Sequence, residues 1–263
     1  MLNDPFSCSS ISDGQYKVTM NLIELGMASP EILTFKRRLD EIGREDREFE
    51  KICSSDEHVF KYLSESIFPI TDKINNSKKA RVMIIFGNPA INSVVKGLFF
   101  YERQDGNRHQ LWGKLEKAGL LLKEIRGKVC NRGIEANRIK ETILKGSTSP
   151  DYLLGLTTFY SFPTPVKPPK KEDSTKWRYG DVDGAETLFR AILPSLRQKE
   201  ISRLADYDFG KGAIWVCTQK SSYDCLLNIE DNSEILYSKL VYWPIRGPGS
   251  GGDDLRKILD NYI

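Results

Sequence analysis

Residues 81–100 read RVMIIFGNPAINSVVKGLFF, and the way this stretch breaks decides the fold. Val82, Met83, Ile84, Ile85 and Phe86 form a short unbroken apolar run, which Gly87, Asn88 and Pro89 stop. A run of that length between turn formers suits a strand buried on both faces and closing in a turn. Three similar runs follow, at Tyr152 to Tyr160, Gly212 to Cys217 and Ile235 to Tyr242. Helical patterns separate them, one with Asp181 as a cap ahead of Val182, Ala185, Leu188, Phe189 and Ile192. Strands alternating with helices predict an α/β protein, a three-layer α/β/α sandwich around a short, mainly parallel four-stranded sheet. Ligands of such sheets bind beyond the carboxyl ends of the strands, so the loops after Phe86, Tyr160 and Tyr242 are where function is expected.

Ahead of this region, residues 1–78 show a different pattern. Ser29, Pro30 and Glu31 make a helix start, with the serine hydroxyl as cap and a proline where a missing N–H is harmless. Ile32, Phe35, Leu39 and Ile42 then recur at helical spacing within the charge-rich KRRLDEIGREDREFEK, and Val59, Phe60, Leu63 and Ile67 extend the apolar set. The expectation is a helical N-terminal extension over residues 1–78 and a main domain over residues 79–263.

Composition narrows the chemistry. The chain has 263 residues and only two histidines, His58 and His109, which excludes multi-histidine metal sites and disfavours a histidine-centred triad. Cys8, Cys53, Cys130, Cys217 and Cys225 are scattered, with no CxxC pair, which argues against a zinc ribbon or an iron–sulfur cluster. The N-terminus lacks the zones of a signal peptide and no apolar run is long enough to span a bilayer, so a cytoplasmic protein without membrane contact is expected. The net charge of +3 conceals an asymmetry: residues 107–180 carry 15 Lys/Arg against 7 Asp/Glu, leaving 24 against 29 elsewhere. A basic strip on an acidic body is either a footprint for a polyanion or a solvated face of mixed charge. No GxGxxG or P-loop follows any of the strands, which disfavours a small-molecule α/β enzyme, and no cofactor is expected.

Together the motifs resemble the uracil-DNA glycosylase superfamily, most closely its mismatch-specific branch. Asn88 and Pro89 fall on that branch's Asn-Pro, Phe100 on its base-stacking Phe, and Asn107, Arg108 and Trp112 on its NR-W helix start. The stretch YLLGLTTFYSFPT, residues 152–164, matches its second strand without a gap. The resemblance covers about residues 80–263.

The resemblance implies a monofunctional DNA glycosylase, acting as a monomer on double-stranded DNA. Such an enzyme flips a base out of the duplex and hydrolyses its bond to deoxyribose, leaving an abasic site. The reaction passes through an oxocarbenium-like sugar, with water needed on one face and charge building on the departing base. Asn88 is implied to orient that water through its carbonyl, although an Asn before Pro also commonly just closes a turn. Gly87, Pro89, Ala90, Phe100 and Thr158 are implied to contact the base. Neighbouring Thr157 and Thr158 are also simply good strand formers.

The third loop, WPIRGPGSGG at Trp243 to Gly252, departs from the family, having neither His nor Asn, and its register is open because Pro244 and Pro248 both fit. Here Arg246 is a wedge or a phosphate clamp and Gly247, Gly249 and Ser250 offer backbone contacts; alternatively the glycines only link to a helix capped by Asp253. Arg108, Lys167, Lys170 and Lys171 are expected to follow the DNA backbone, joined by Lys176 and Arg178 and by Lys123, Arg126, Lys128 and Arg132. Ala90 in place of the family's Gly and the rebuilt third loop depart from the repair pattern. They favour, narrowly, a superfamily activity that excises α-glucosyl-5-hydroxymethylcytosine from phage DNA as an antiviral defence. Uracil or mismatched-thymine repair is the alternative, and a DNA-binding module without catalysis is a second.

Overall fold

The computed structural model describes residues 4–12, 14–97, 99, 110–123, 132–164, 182–228 and 237–262. The chain forms two compact units, one of residues 1–65, 87–97 and 159–203, the other of residues 66–86, 98–158 and 204–263.

The second unit holds the parallel sheet, built from β5 (Ala80–Phe86), β6 (Tyr152–Thr158), β7 (Ile214–Cys217) and β8 (Lys239–Tyr242) in the order β6-β5-β7-β8. All three neighbouring pairs are parallel, with Ile85 level with Thr157 on one side and Cys217 on the other. Every residue of β6 and β7 is buried, as is Val82 through Phe86, which is why these strands read as continuous apolar runs. Val82, Ile84, Leu154, Leu156 and Val216 share one core with Leu111, Trp112 and Leu115 of α5 (Gln110–Lys117), Ile139 and Ile143 of α6 (Arg132–Leu144), and Leu255 and Leu259 of α10 (Gly252–Asp260). On the opposite face Tyr242 meets Tyr223 of α9 (Lys220–Leu227), with ring centroids 5.9 Å apart. The result is the expected α/β protein, with a four-stranded parallel sheet between helical layers.

Gly155, in the middle of β6, lies under the stacked rings of Phe68 and Phe209, whose centroids are 5.4 Å apart. A Cβ there would come within 2.5 Å of Phe209 and 2.6 Å of Phe68, so only glycine admits the pair.

The first unit corrects the expectation of a helical extension over residues 1–78. It contains a four-stranded antiparallel sheet of β1 (Phe6–Ser12), β2 (Gln15–Asn21), β3 (Cys53–Asp56) and β4 (Val59–Glu65), ordered β1-β2-β4-β3. Val59 to Leu63 do not continue a helix. They pair with β2, Phe60 opposite Met20 and Tyr62 opposite Val18, and bury alternate residues Phe60, Tyr62 and Ser64. Cross-strand pairing overrode an apolar spacing that was compatible with a helix but also with period two.

The helix expected after Ser29 does form, as α1 (Ser29–Glu45), and it buries Ile32, Phe35, Leu39 and Ile42. Ser29 lies inside the helix and Ala28 takes the cap position; the Glu31 carboxylate reaches back to accept from the Ala28 N–H at 2.8 Å. Phe35, Phe60, Phe162 and Phe189 close a ring of aromatic contacts, with successive centroids 5.1, 5.8, 5.2 and 5.3 Å apart. α2 (Phe49–Ile52), α4 (Ile91–Lys96), α7 (Val182–Leu188) and most of α8 (Leu193–Ala205) complete this unit. α3 (Thr71–Asn75) belongs to the other.

Candidate functional site

The turn that follows β5 is bound, strand-like, to the segment that follows β6. Gly87 O accepts from the Tyr160 N–H at 2.8 Å, Pro89 O accepts from the Thr164 N–H at 2.9 Å, and the Ile91 N–H donates to Thr164 O at 3.0 Å. Ala90 and Thr164 pair as a parallel bridge, and Ala90 then caps α4. Gly87 and Pro89 are buried, while Asn88 and Ala90 between and after them are half-buried.

The Asn88 side chain is held in one orientation. Its Nδ2 donates to Thr164 Oγ1 and to Pro89 O, the latter at 3.3 Å. Because a peptide carbonyl only accepts, the atom facing Pro89 O has to be the NH2 group. The side-chain carbonyl Oδ1 therefore points the other way, and it makes no hydrogen bond among the described residues. A fixed amide with an open carbonyl can take a hydrogen bond from a water molecule without any change of protonation.

Buried charge stiffens the facing segment. Glu200 accepts from the Ser161 N–H at 2.7 Å and from Ser161 Oγ at 2.5 Å, while its other oxygen takes the Arg203 Nε–H at 2.6 Å. Both side chains are almost completely buried, at 1 and 4 % exposure. Arg203 also donates to Phe159 O at 3.2 Å, and Tyr62 OH lies 2.7 Å from Ser161 Oγ. Next to this, Tyr160 OH donates to Glu186 at 2.7 Å and accepts from Arg197 Nε–H at 3.0 Å. Burial, reinforced by the Glu186 carboxylate, pushes the Tyr160 phenol far above its ordinary pKa and keeps it protonated. Residues 159–161 are thus anchored by carboxylates from two helices.

Glu200, Arg203 and Glu186 were not among the residues singled out from sequence. One signal was there: Leu196, Glu200, Arg203 and Leu204 fall on a single helical stripe, which puts an oppositely charged pair on a buried face.

The third loop lies in the other unit. Trp243 is fully buried and its Nε1–H donates to Gly251 O at 3.1 Å, closing the base of the loop. Lys114 of α5 donates to Ile245 O at 2.7 Å and to Ser250 Oγ at 3.1 Å. Arg246, Gly247, Pro248 and Gly249 form an exposed tip, the two glycines at φ +87° and +73°. The loop is a braced turn rather than a loose linker. Its following helix starts at Gly252 with Gly251 as cap, and Asp254 in place of the expected Asp253 accepts from the Gly251 N–H at 3.0 Å. Burial and the neighbouring Arg246 charge both lower the Lys114 pKa.

Thr158 ends β6 fully buried, on the strand face that carries Leu154 and Leu156. Thr157 faces the other way and shares a 2.7 Å hydrogen bond with Ser66 Oγ. Phe100, Arg108, Lys167, Lys170 and Lys171 lie outside the described residues, as do Lys176 and Arg178. Among the described residues no group of His, Cys, Asp and Glu is arranged to hold a metal ion, and no helix is long and apolar enough to cross a membrane. The sequence matches no protein-family profile and no curated protein.

Proposed function

We propose that the chain is a monofunctional DNA glycosylase that hydrolyses the N-glycosidic bond of a modified pyrimidine and leaves an abasic site. The observation that carries the reading is the Asn88 amide, clamped through its NH2 group with its carbonyl open, two residues beyond a central parallel strand. Carboxyl-end loops are where such sheets place ligands.

Asn88 Oδ1 accepts a hydrogen bond from the attacking water and directs its lone pair at the anomeric carbon. The amide does not titrate, so the water is oriented rather than deprotonated in the ground state, and turnover is slow. As the water oxygen bonds to the sugar it gives up a proton to solvent, while the glycosidic electron pair leaves with the base, which takes up a proton from solvent. Gly87, Pro89 and Ala90 border the amide, and the resemblance assigns base stacking to Phe100 and phosphate contacts to Arg246 and the 107–180 basic segment.

The preferred substrate is α-glucosyl-5-hydroxymethylcytosine in phage DNA, on the strength of the rebuilt third loop. Purified protein is incubated with glucosyl-hydroxymethylcytosine, uracil, mismatched-thymine and unmodified DNA, and abasic sites are cleaved with alkali. Strand breaks confined to the glucosylated DNA support the full reading, and breaks confined to uracil or mismatch DNA move the protein to repair. No breaks on any substrate, with DNA binding retained, leave a binding module and overturn the catalytic reading.

A further inference from the structure

Residues 1–65 lie outside the motifs that carry the glycosylase resemblance. Three of their polar side chains nevertheless end on the two segments that make the Asn88 turn, all within the first unit. Gln15 Nε2 of β2 donates to Val94 O at 2.5 Å. Glu65, fully buried at the end of β4, accepts from Ser93 Oγ at 2.7 Å. Tyr62 OH and Ser161 Oγ are joined at 2.7 Å. Ser93 and Val94 belong to α4, which begins immediately after Asn88-Pro89-Ala90. Ser161 belongs to the segment whose backbone bonds Gly87 and Pro89.

Apolar side chains would join a sheet to a helix with less desolvation, but they would not fix the helix along its axis or in rotation. Directional bonds to Val94 O and to the Ser93 hydroxyl do, and the bond to Ser161 Oγ places the same restraint on the facing segment. We infer that Gln15, Tyr62 and Glu65 of the N-terminal sheet are positioning residues for Asn88, holding α4 and the 160–164 segment so that the turn between them keeps the amide in place. The catalytic consequence rests on the glycosylase reading; the clamp on the turn does not.

The test uses the full chain and the variants Tyr62→Phe, Glu65→Ala and Glu65→Gln, the last retaining a carbonyl acceptor for Ser93. Amide hydrogen exchange is followed by mass spectrometry. Tyr62→Phe and Glu65→Ala should each exchange about tenfold faster in peptides covering residues 87–91 and 160–164, with β5 and α10 unchanged, and Glu65→Gln should match the parent. On the cleaved DNA substrate the first two should lower kcat about tenfold with KM held within about twofold, and Glu65→Gln should restore it. Unchanged exchange in both peptides, or acceleration spread evenly over the chain, overturns the clamp. A parent protein that cleaves no DNA refutes the glycosylase reading instead, and the exchange data still decide the clamp.

Discussion

Asn88 is bound to Thr164 through its side chain, the amide donating to the threonine hydroxyl, and the Thr164 backbone pairs with Pro89 and Ile91 on either side of Ala90. The side chain that would orient a water is therefore oriented itself by a residue 76 positions away in sequence.

Thr164→Val should loosen that orientation while keeping shape. It removes the acceptor for Asn88 Nδ2, with an expected stability loss of about 1 kcal/mol by urea unfolding. Base excision should slow by about tenfold or more, and Thr164→Ser, which keeps the hydroxyl, should stay near the parent. Equal rates for the valine and serine variants would detach Thr164 from the chemistry.

The Glu200–Arg203 pair should behave as a buried ion pair. Glu200→Gln leaves an uncompensated guanidinium and should cost about 3–5 kcal/mol in a denaturant titration. Replacing both, Glu200→Leu with Arg203→Met, should cost less than the single change because no charge is stranded, although Ser161 then loses its acceptor. A double variant at least as unstable as Glu200→Gln alone would contradict this.

Gly155→Ala drives a methyl into the Phe68 and Phe209 rings. Overpacking of this kind should lower stability by about 1–3 kcal/mol, and Phe209→Leu on that background should return part of it.

β5, β6 and β7 were legible because they are buried on both faces, Val82 to Phe86 having no polar residue to break the run, whereas the edge strand β8 buries only Val241. The N-terminal sheet was not, since Val59, Phe60 and Leu63 fit a helical spacing as well as they fit a strand that buries Phe60, Tyr62 and Ser64 and leaves Val59, Lys61 and Leu63 half-buried. Gly14, at φ +83° between β1 and β2, marks a hairpin turn. At the site, the Asn-Pro turn could be read locally. Its restraint could not, because Thr164, Glu200 and Tyr62 reach it only through tertiary pairing.

Lys114 offers a titration test of the third loop. Burial first, and the Arg246 charge second, hold its pKa below the ordinary 10.5. The folded chain thus binds this proton less tightly than the unfolded chain. The lysine penalises folding below its folded pKa, and the penalty fades as pH rises through that pKa toward 10.5. Arg246→Ala should move the NMR titration of Lys114 upward, and no movement would separate the two charges. In DNA binding, the same variant should reduce the salt slope by about one unit, and Lys170→Glu with Lys171→Glu should reduce it further.

In the proposed reaction Asn88 holds the attacking water. The most direct measurement of this is single-turnover base excision by Asn88→Ala on whichever modified DNA the parent cleaves, with DNA affinity measured in parallel. The rate should fall by about a hundredfold or more with affinity nearly unchanged, since only the chemical step loses its oriented nucleophile. Excision by Asn88→Ala at the parent rate would contradict it.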